Sequence, residues 1–149
     1  MIDYKPLNEE NLSQQLADIP KYKWQEFFRI TDDLKNSQKF GEIDGGIINK
    51  EGISILPQYE ATKEVSLFVK KCYEIPLMVD FDWMSWEEGS NLLNTPKTDY
   101  ASLPLETLVK LLTAIIRADR FHEGYILSKC EKGSLLGVIE VIRNSFIYK

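Results

Sequence analysis

The stretch from Pro104 to Gly124 constrains this chain more than any other. Wound at about 100° per residue, Leu105, Leu108, Val109, Leu111, Leu112, Ile115 and Ile116 fill one continuous apolar arc of a helix. A helix with so broad an apolar face belongs to a core, and other elements must cover it. Glu106, Lys110, Thr113 and Arg117 form the opposite stripe with charge complementarity at helical spacing. On that wheel Arg117 reads as an ordinary solvated residue. The pattern then breaks. In "IIRADRFHEGY", Asp119 falls near the middle of the apolar arc, Glu123 follows one turn later, and Arg120 lies at the arc's edge.

A buried carboxylate without a partner is costly, so these acids must be paired or the helix must stop. Asp119 can cap a second helix starting at Arg120. Alternatively, Asp119 and Glu123 can pair with Arg120, Arg143 or a Trp N–H in a structural network. A third arrangement puts both acids and Arg120 in a pocket facing a ligand, walled by Phe121, Trp83 and Trp86, with Asp82 as a further carboxylate. Arg offers a planar fork for phosphate or carboxylate, and an acid pair can hold a cation or move a proton.

Elsewhere the chain reads as helices around a small sheet. "NEENLSQQLADI" is a short helix, and Pro20 stands where a new one begins. Trp24, Phe27, Phe28, Ile30, Thr31 and Leu34 recur at helical spacing between Lys21 and Asn36. "DGG" and "KEG" are turn sequences, and the spacing predicts an antiparallel meander with strands near Phe40–Ile43, Gly46–Asn49 and Ile53–Leu56. So small a sheet must pack against helices. Thr62 is placed to cap a helix through Tyr73, with Val65, Leu67, Phe68 and Val69 inward. Ser85 and Glu88 have the spacing of a capping box, which puts Asp80–Met84 just upstream of a helix start. A last helix, Ser134 to Phe146, presents Leu135, Val138, Ile139, Ile142 and Phe146 on one side. The expected architecture is α+β: one predominantly helical globular domain over residues 1–149, carrying a small antiparallel β-meander.

Apolar content of 44% with 28% charged residues is that of a folded chain rather than a disordered one. A net charge of −5 argues against a general nucleic-acid binder, which needs a basic face. Cys72 and Cys130 have no metal-ligand spacing and are expected as buried free thiols in a reducing compartment. The N-terminus lacks the basic and apolar regions of a signal peptide, and no apolar run approaches the ~20 residues of a membrane span. A cytoplasmic location is the expectation.

No nucleotide, metalloprotease or hydrolase signature occurs, and neither a cofactor nor a metal site is indicated. His122, the single histidine, has the residue type of a general acid or base beside Glu123 but cannot alone build a zinc site. Trp83 and Trp86 are core and interface aromatics or, functionally, pocket walls that each donate one hydrogen bond.

"FDWMSWEEG" followed by "LLTAIIRADRFHEG" resembles a family of uncharacterised, mainly bacterial proteins, domain of unknown function 6508. Its members carry a comparable F-D-W-M-x-W segment and then L-L-T-x-x-x-R-x-D-R-F-x-E-G. The likeness covers residues 77 to 143 and, more loosely, the Gly-rich meander. It implies no activity. It does mark Asp82, Trp83, Trp86, Arg117, Asp119, Arg120, Phe121, Glu123 and Gly124 as family-motif positions in one spatial unit, and sets His122 at a variable one. The resemblance thereby gives Arg117 a weight that the wheel denies it.

The expected function is a non-enzymatic binding or protein-interaction module with a protein or small-molecule partner. The alternative is a small-molecule or phosphate-binding enzyme, in which Arg117 and Arg120 grip an anion while Asp82, Asp119 or Glu123 handles a proton or metal ion. Self-association into a homo-oligomer is left open by the surplus of Trp and Phe.

Overall fold

A computed structural model of the chain describes residues 7–37, 39–44, 52, 58–75, 77–95, 98–119, 121 and 124–147. Among these residues the protein is predominantly helical with a few short strands. The first strand, β1 (Leu7–Asn8), leads through a 3₁₀ turn (Glu9–Asn11) into α1 (Leu12–Asp18) and α2 (Lys21–Lys35). Then come β2 (Gly41–Asp44), β3 (Gln58–Ala61), α3 (Lys63–Glu74) and β4 (Val79–Asp80). A 3₁₀ turn (Trp83–Ser85) precedes α4 (Glu87–Asn94), and a third (Tyr100–Ser102) precedes α5 (Leu105–Ala118), α6 (Tyr125–Glu131) and α7 (Ser134–Ile147).

The apolar arc of α5 makes it the central helix. Leu108, Val109, Leu111, Leu112, Ala114, Ile115 and Ile116 are buried, and α1, α4, α6, α7 and β4 all pack against it. Leu135, Val138, Ile139 and Ile142 of α7 answer from the facing side. The α2 helix buries Trp24, Phe27, Thr31 and Leu34. It packs on α3, where Phe27 and Phe68 bring their ring centroids to 5.8 Å. Thr62 caps α3 as its sequence requires, accepting a hydrogen bond from Val65 N at 3.4 Å. Leu67, expected inward on that helix, is instead exposed.

Two expectations about α5 and its neighbours need correction. Thr113, assigned to the solvated stripe, is fully buried because β4 covers that side of the helix. Its hydroxyl donates to Val109 O at 3.0 Å and accepts from Val79 N at 3.1 Å, so both polar groups are satisfied in the core. Arg143 does not serve Asp119. From α7 it makes a two-pronged ion pair with Asp32 of α2, with Nη2 3.0 Å from Oδ2.

The three-stranded meander is also corrected. The described strands form two separate pairs: β2 antiparallel to β3, and β1 parallel to β4. The strands expected near Gly46–Asn49 and Ile53–Leu56 lie outside the described residues. A two-residue parallel pair such as Leu7–Val79 and Asn8–Asp80 carries no alternation for a sequence pattern to reveal. The ladder of β2 and β3 runs straight into α3, since Thr62 N donates to Phe40 O at 2.9 Å.

Candidate functional site: an aromatic cleft bordered by lysines

The segment between β4 and α4 folds as a tight 3₁₀ turn, with Trp86 N donating to Trp83 O at 3.3 Å. Consequently α4 starts at Glu87 with Trp86 at its N-cap, and no side chain caps it. The Ser85–Glu88 capping box is therefore not formed, because Ser85 is consumed by the turn one residue too early. Trp86 lies against the first turn of α4, and Gly89 makes room for it. A Cβ at Gly89 would sit 2.2 Å from Trp86 Cε3. On its edge Trp86 meets Phe81 at 5.4 Å and 81°. Lys110 Nζ lies 4.7 Å and 4.8 Å from the centroids of Phe81 and Trp86 and pairs with Glu9 at 2.9 Å. Each cation–π contact of this kind contributes about 0.5–1 kcal/mol at an exposed site. Trp86 is thus fixed by backbone, ring and charge.

This fixed ring forms one wall of a cleft of about 560 Å³ between the Trp83–Ser85 turn, α4, α5 and α6. Trp83, Phe121 and Tyr125 supply further aromatic walls, and Ala114 and Ala118 of α5 leave the space that longer side chains would fill. Such a volume is that of small-molecule sites, which run to about 300–1,000 Å³. At the mouth, Trp83 and Phe121 approach to 5.9 Å. Phe121 is 71% exposed and Met84 63%, so apolar surface here faces outward.

The far end of the cleft is cationic. Lys129, only 3% exposed, donates from Nζ to Leu93 O at 3.2 Å and to Asn94 Oδ1 at 3.3 Å. Its ammonium lies 5.2 Å from the centroid of the Tyr125 ring. Burial, helped by the neighbouring charge of Lys132, pulls its pKa below the ordinary lysine value. Lys132 also lines the cleft and is exposed. A second cleft, of about 520 Å³, shares Leu93, Asn94, Lys129 and Lys132 with the first. The two spaces thus meet at the lysines.

Of the residues singled out in the sequence, Trp83, Trp86 and Phe121 line this cleft, and Asp82, Arg117 and Asp119 do not. Asp82 is exposed ahead of the 3₁₀ turn and makes no capping bond. Arg117 is partly buried rather than solvated, and among the described residues its buried Nε has no hydrogen-bond partner. Asp119 is a cap, but of α6 and not of a helix starting at Arg120: its Oδ1 accepts from Ile126 N at 3.0 Å. Gly124, at the N-cap of α6 with φ +86°, has no side chain for that purpose. Arg120, His122 and Glu123 lie outside the described residues. No group of three or more His, Cys, Asp or Glu that could hold a metal occurs among the described residues.

Lys129 escaped the sequence reading because "SKCEKG" looks like a solvated helix end. The available signal was positional: Lys129 follows Ile126 by three and adjoins Cys130, so it shares the buried face of α6.

The chain belongs to the family of unknown function DUF6508, whose model matches residues 19–146. That span includes the aromatic turn, α5 and both cleft lysines. No curated protein and no solved structure matches the chain.

Proposed function

We propose that the protein is a non-enzymatic binding module whose working surface is the cleft between α4, α5 and α6. One observation carries this reading: Trp83, Met84 and Phe121 hold apolar surface open to solvent at the mouth of a preformed space. Phe121 gains little for the fold in that position, so its exposure is best accounted for by a partner. The alternative, an enzyme in which Arg117, Arg120 and nearby acids work on a small molecule or phosphate, has in its favour the Nε of Arg117, which has no partner among the described residues. Neither Arg117 nor Asp82 nor Asp119 borders the cleft, which favours the binding reading. Cys72 and Cys130, buried and outside any disulfide, support a reducing, cytoplasmic setting, and no described helix is long and apolar enough to cross a membrane.

The test is a fragment screen followed through the indole N–H signals of Trp83 and Trp86 in nuclear magnetic resonance spectra, beside the Phe121→Ala and Trp83→Ala variants. The expected result is fragments that shift both indole signals and lose affinity in both variants, while the melting temperature of Phe121→Ala stays within about 2 °C of the parent. A screen in which hits ignore both indoles would sink the assignment. Light scattering across concentration separates a small-molecule cleft from self-association through Met84 and Phe121. Loss of a dimer in Phe121→Ala would reassign the surface to a homo-oligomer.

A further inference from the structure

We infer that the ligand of this cleft is a planar aromatic anion, its ring between Trp83, Trp86 and Phe121 and its carboxylate or phosphate at the junction of Lys129 and Lys132. The inference rests on the binding-module reading and adds the chemical class of the ligand.

Donor arithmetic at Lys129 is the first ground. An ammonium group has three N–H donors and no acceptor. Leu93 O and Asn94 Oδ1 take two of them, and among the described residues the third finds the face of the Tyr125 ring. Both oxygens are neutral, and among the described residues no carboxylate pairs with Lys129 or Lys132. Among the described residues, then, this buried cation is held by neutral groups and has given up water without gaining a counter-charge.

Position is the second ground. Both lysines border both clefts, so an anion placed at their junction meets two positive charges from one spot. The chain as a whole carries a net charge of −5, so two lysines with no carboxylate partner among the described residues, beside an aromatic space, are a local exception rather than part of a basic surface. Ser90 and Ser128 also line the first cleft and offer hydroxyl donors to an oxyanion. The walls select for a flat ring and the lysine end for negative charge.

Isothermal titration calorimetry with 2-naphthoate, 2-naphthyl phosphate and 2-naphthol tests this on the intact protein. The expected result is that at least one anion binds roughly tenfold or more tightly than the neutral alcohol, with an affinity that falls as salt rises. Whichever anion leads separates a carboxylate ligand from a phosphate. Lys132→Met, at an exposed position that need not affect folding, should lower anion affinity far more than 2-naphthol affinity and so remove most of the anion preference. Lys129→Met should do the same, and its melting curve reports whether the fold survives the loss of the Leu93 contact. Equal binding of all three probes, still lost in Trp83→Ala, would overturn the anion inference while leaving the cleft as a binding site. Failure of all three to bind would overturn both.

Discussion

Asp119→Ala is the sharpest probe of why the central helix ends in charge. Asp119 Oδ1 accepts from Ile126 N at 3.0 Å, and the N-cap itself is Gly124, which has no oxygen to substitute. Removal of the carboxylate leaves that amide without its acceptor, a loss of about 0.5–2 kcal/mol and typically about 1 for a helix cap. Little cavity cost is added, because Asp119 is only partly buried. For a domain of this size 1 kcal/mol shifts the melting temperature by about 2–4 °C. Asp119→Asn keeps the acceptor and gives up the attraction of a full charge to the amino end of α6, about 0.3–1 kcal/mol. The expected order of stability in urea titrations is therefore parent, then Asn, then Ala. Hydrogen exchange localises the effect, with the Ile126 amide losing protection in the Ala variant well before the amides of α5. If Ala matched the parent, or if Ile126 kept its protection, the capping assignment would be wrong and Asp119 would be free for another role.

Three further outcomes follow from the same geometry. Gly89→Ala forces a Cβ to within 2.2 Å of Trp86 Cε3, so the ring must move. It should cost about 1–3 kcal/mol, although Gly to Ala ordinarily stabilises a helix, and shift the Trp86 indole signal. An unmoved Trp86 signal would contradict it. Hydrogen bonding to Arg143 holds the Asp32 carboxyl below its ordinary value of 3.8, against a smaller opposing effect of burial. A lowered folded-state value means that the pair's contribution is present above pH 3.8 and is lost as pH falls through the folded value. The stability gap between the parent and Asp32→Asn, read in urea titrations, should thus be widest near neutrality and close in acid. A gap independent of pH would refute the linkage. Cys72 and Cys130 are buried and form no disulfide, and burial pushes the Cys72 thiol well above its ordinary value. Neither should react with an aromatic disulfide reagent until the protein is unfolded, and fast labelling of the native protein would contradict their burial.

Much of the fold was legible because its signals are periodic and local. The arcs of α2 and α5, Leu135, Val138, Ile139 and Ile142 of the α7 arc, and the Thr62 cap follow from side-chain spacing alone, and the structure reproduces them, the side chain of Phe146 lying outside the described ones. What escaped is set by contacts distant in sequence. Thr113 was misplaced because nothing nearby announces that β4 will cover its side of α5. The spacing at Ser85 and Glu88 is correct for a box, yet the preceding turn moves the helix start by competing for Ser85. Asp119 stood out as an acid in an apolar arc, but its partner is an amide seven positions onward across a turn. The site was half visible. Trp83 and Trp86 are bulky aromatics beside a motif, whereas Lys129 becomes informative only once Leu93 and Asn94 are seen against it.

The hydrogen bond from Val79 to Thr113 has a consequence for the order in which the protein assembles. Val79 is both the partner of Leu7 in the parallel pair and the amide anchored to the central helix. The strand that receives the amino-terminal segment therefore depends on α5, a contact spanning 34 positions. Closing long loops before their contacts exist is entropically unfavourable. Leu7–Asn8 and α1 are accordingly expected to dock late in folding and to open early. The Leu7 amide, bonded to Met78 O at 2.7 Å, is a ready reporter of that early opening.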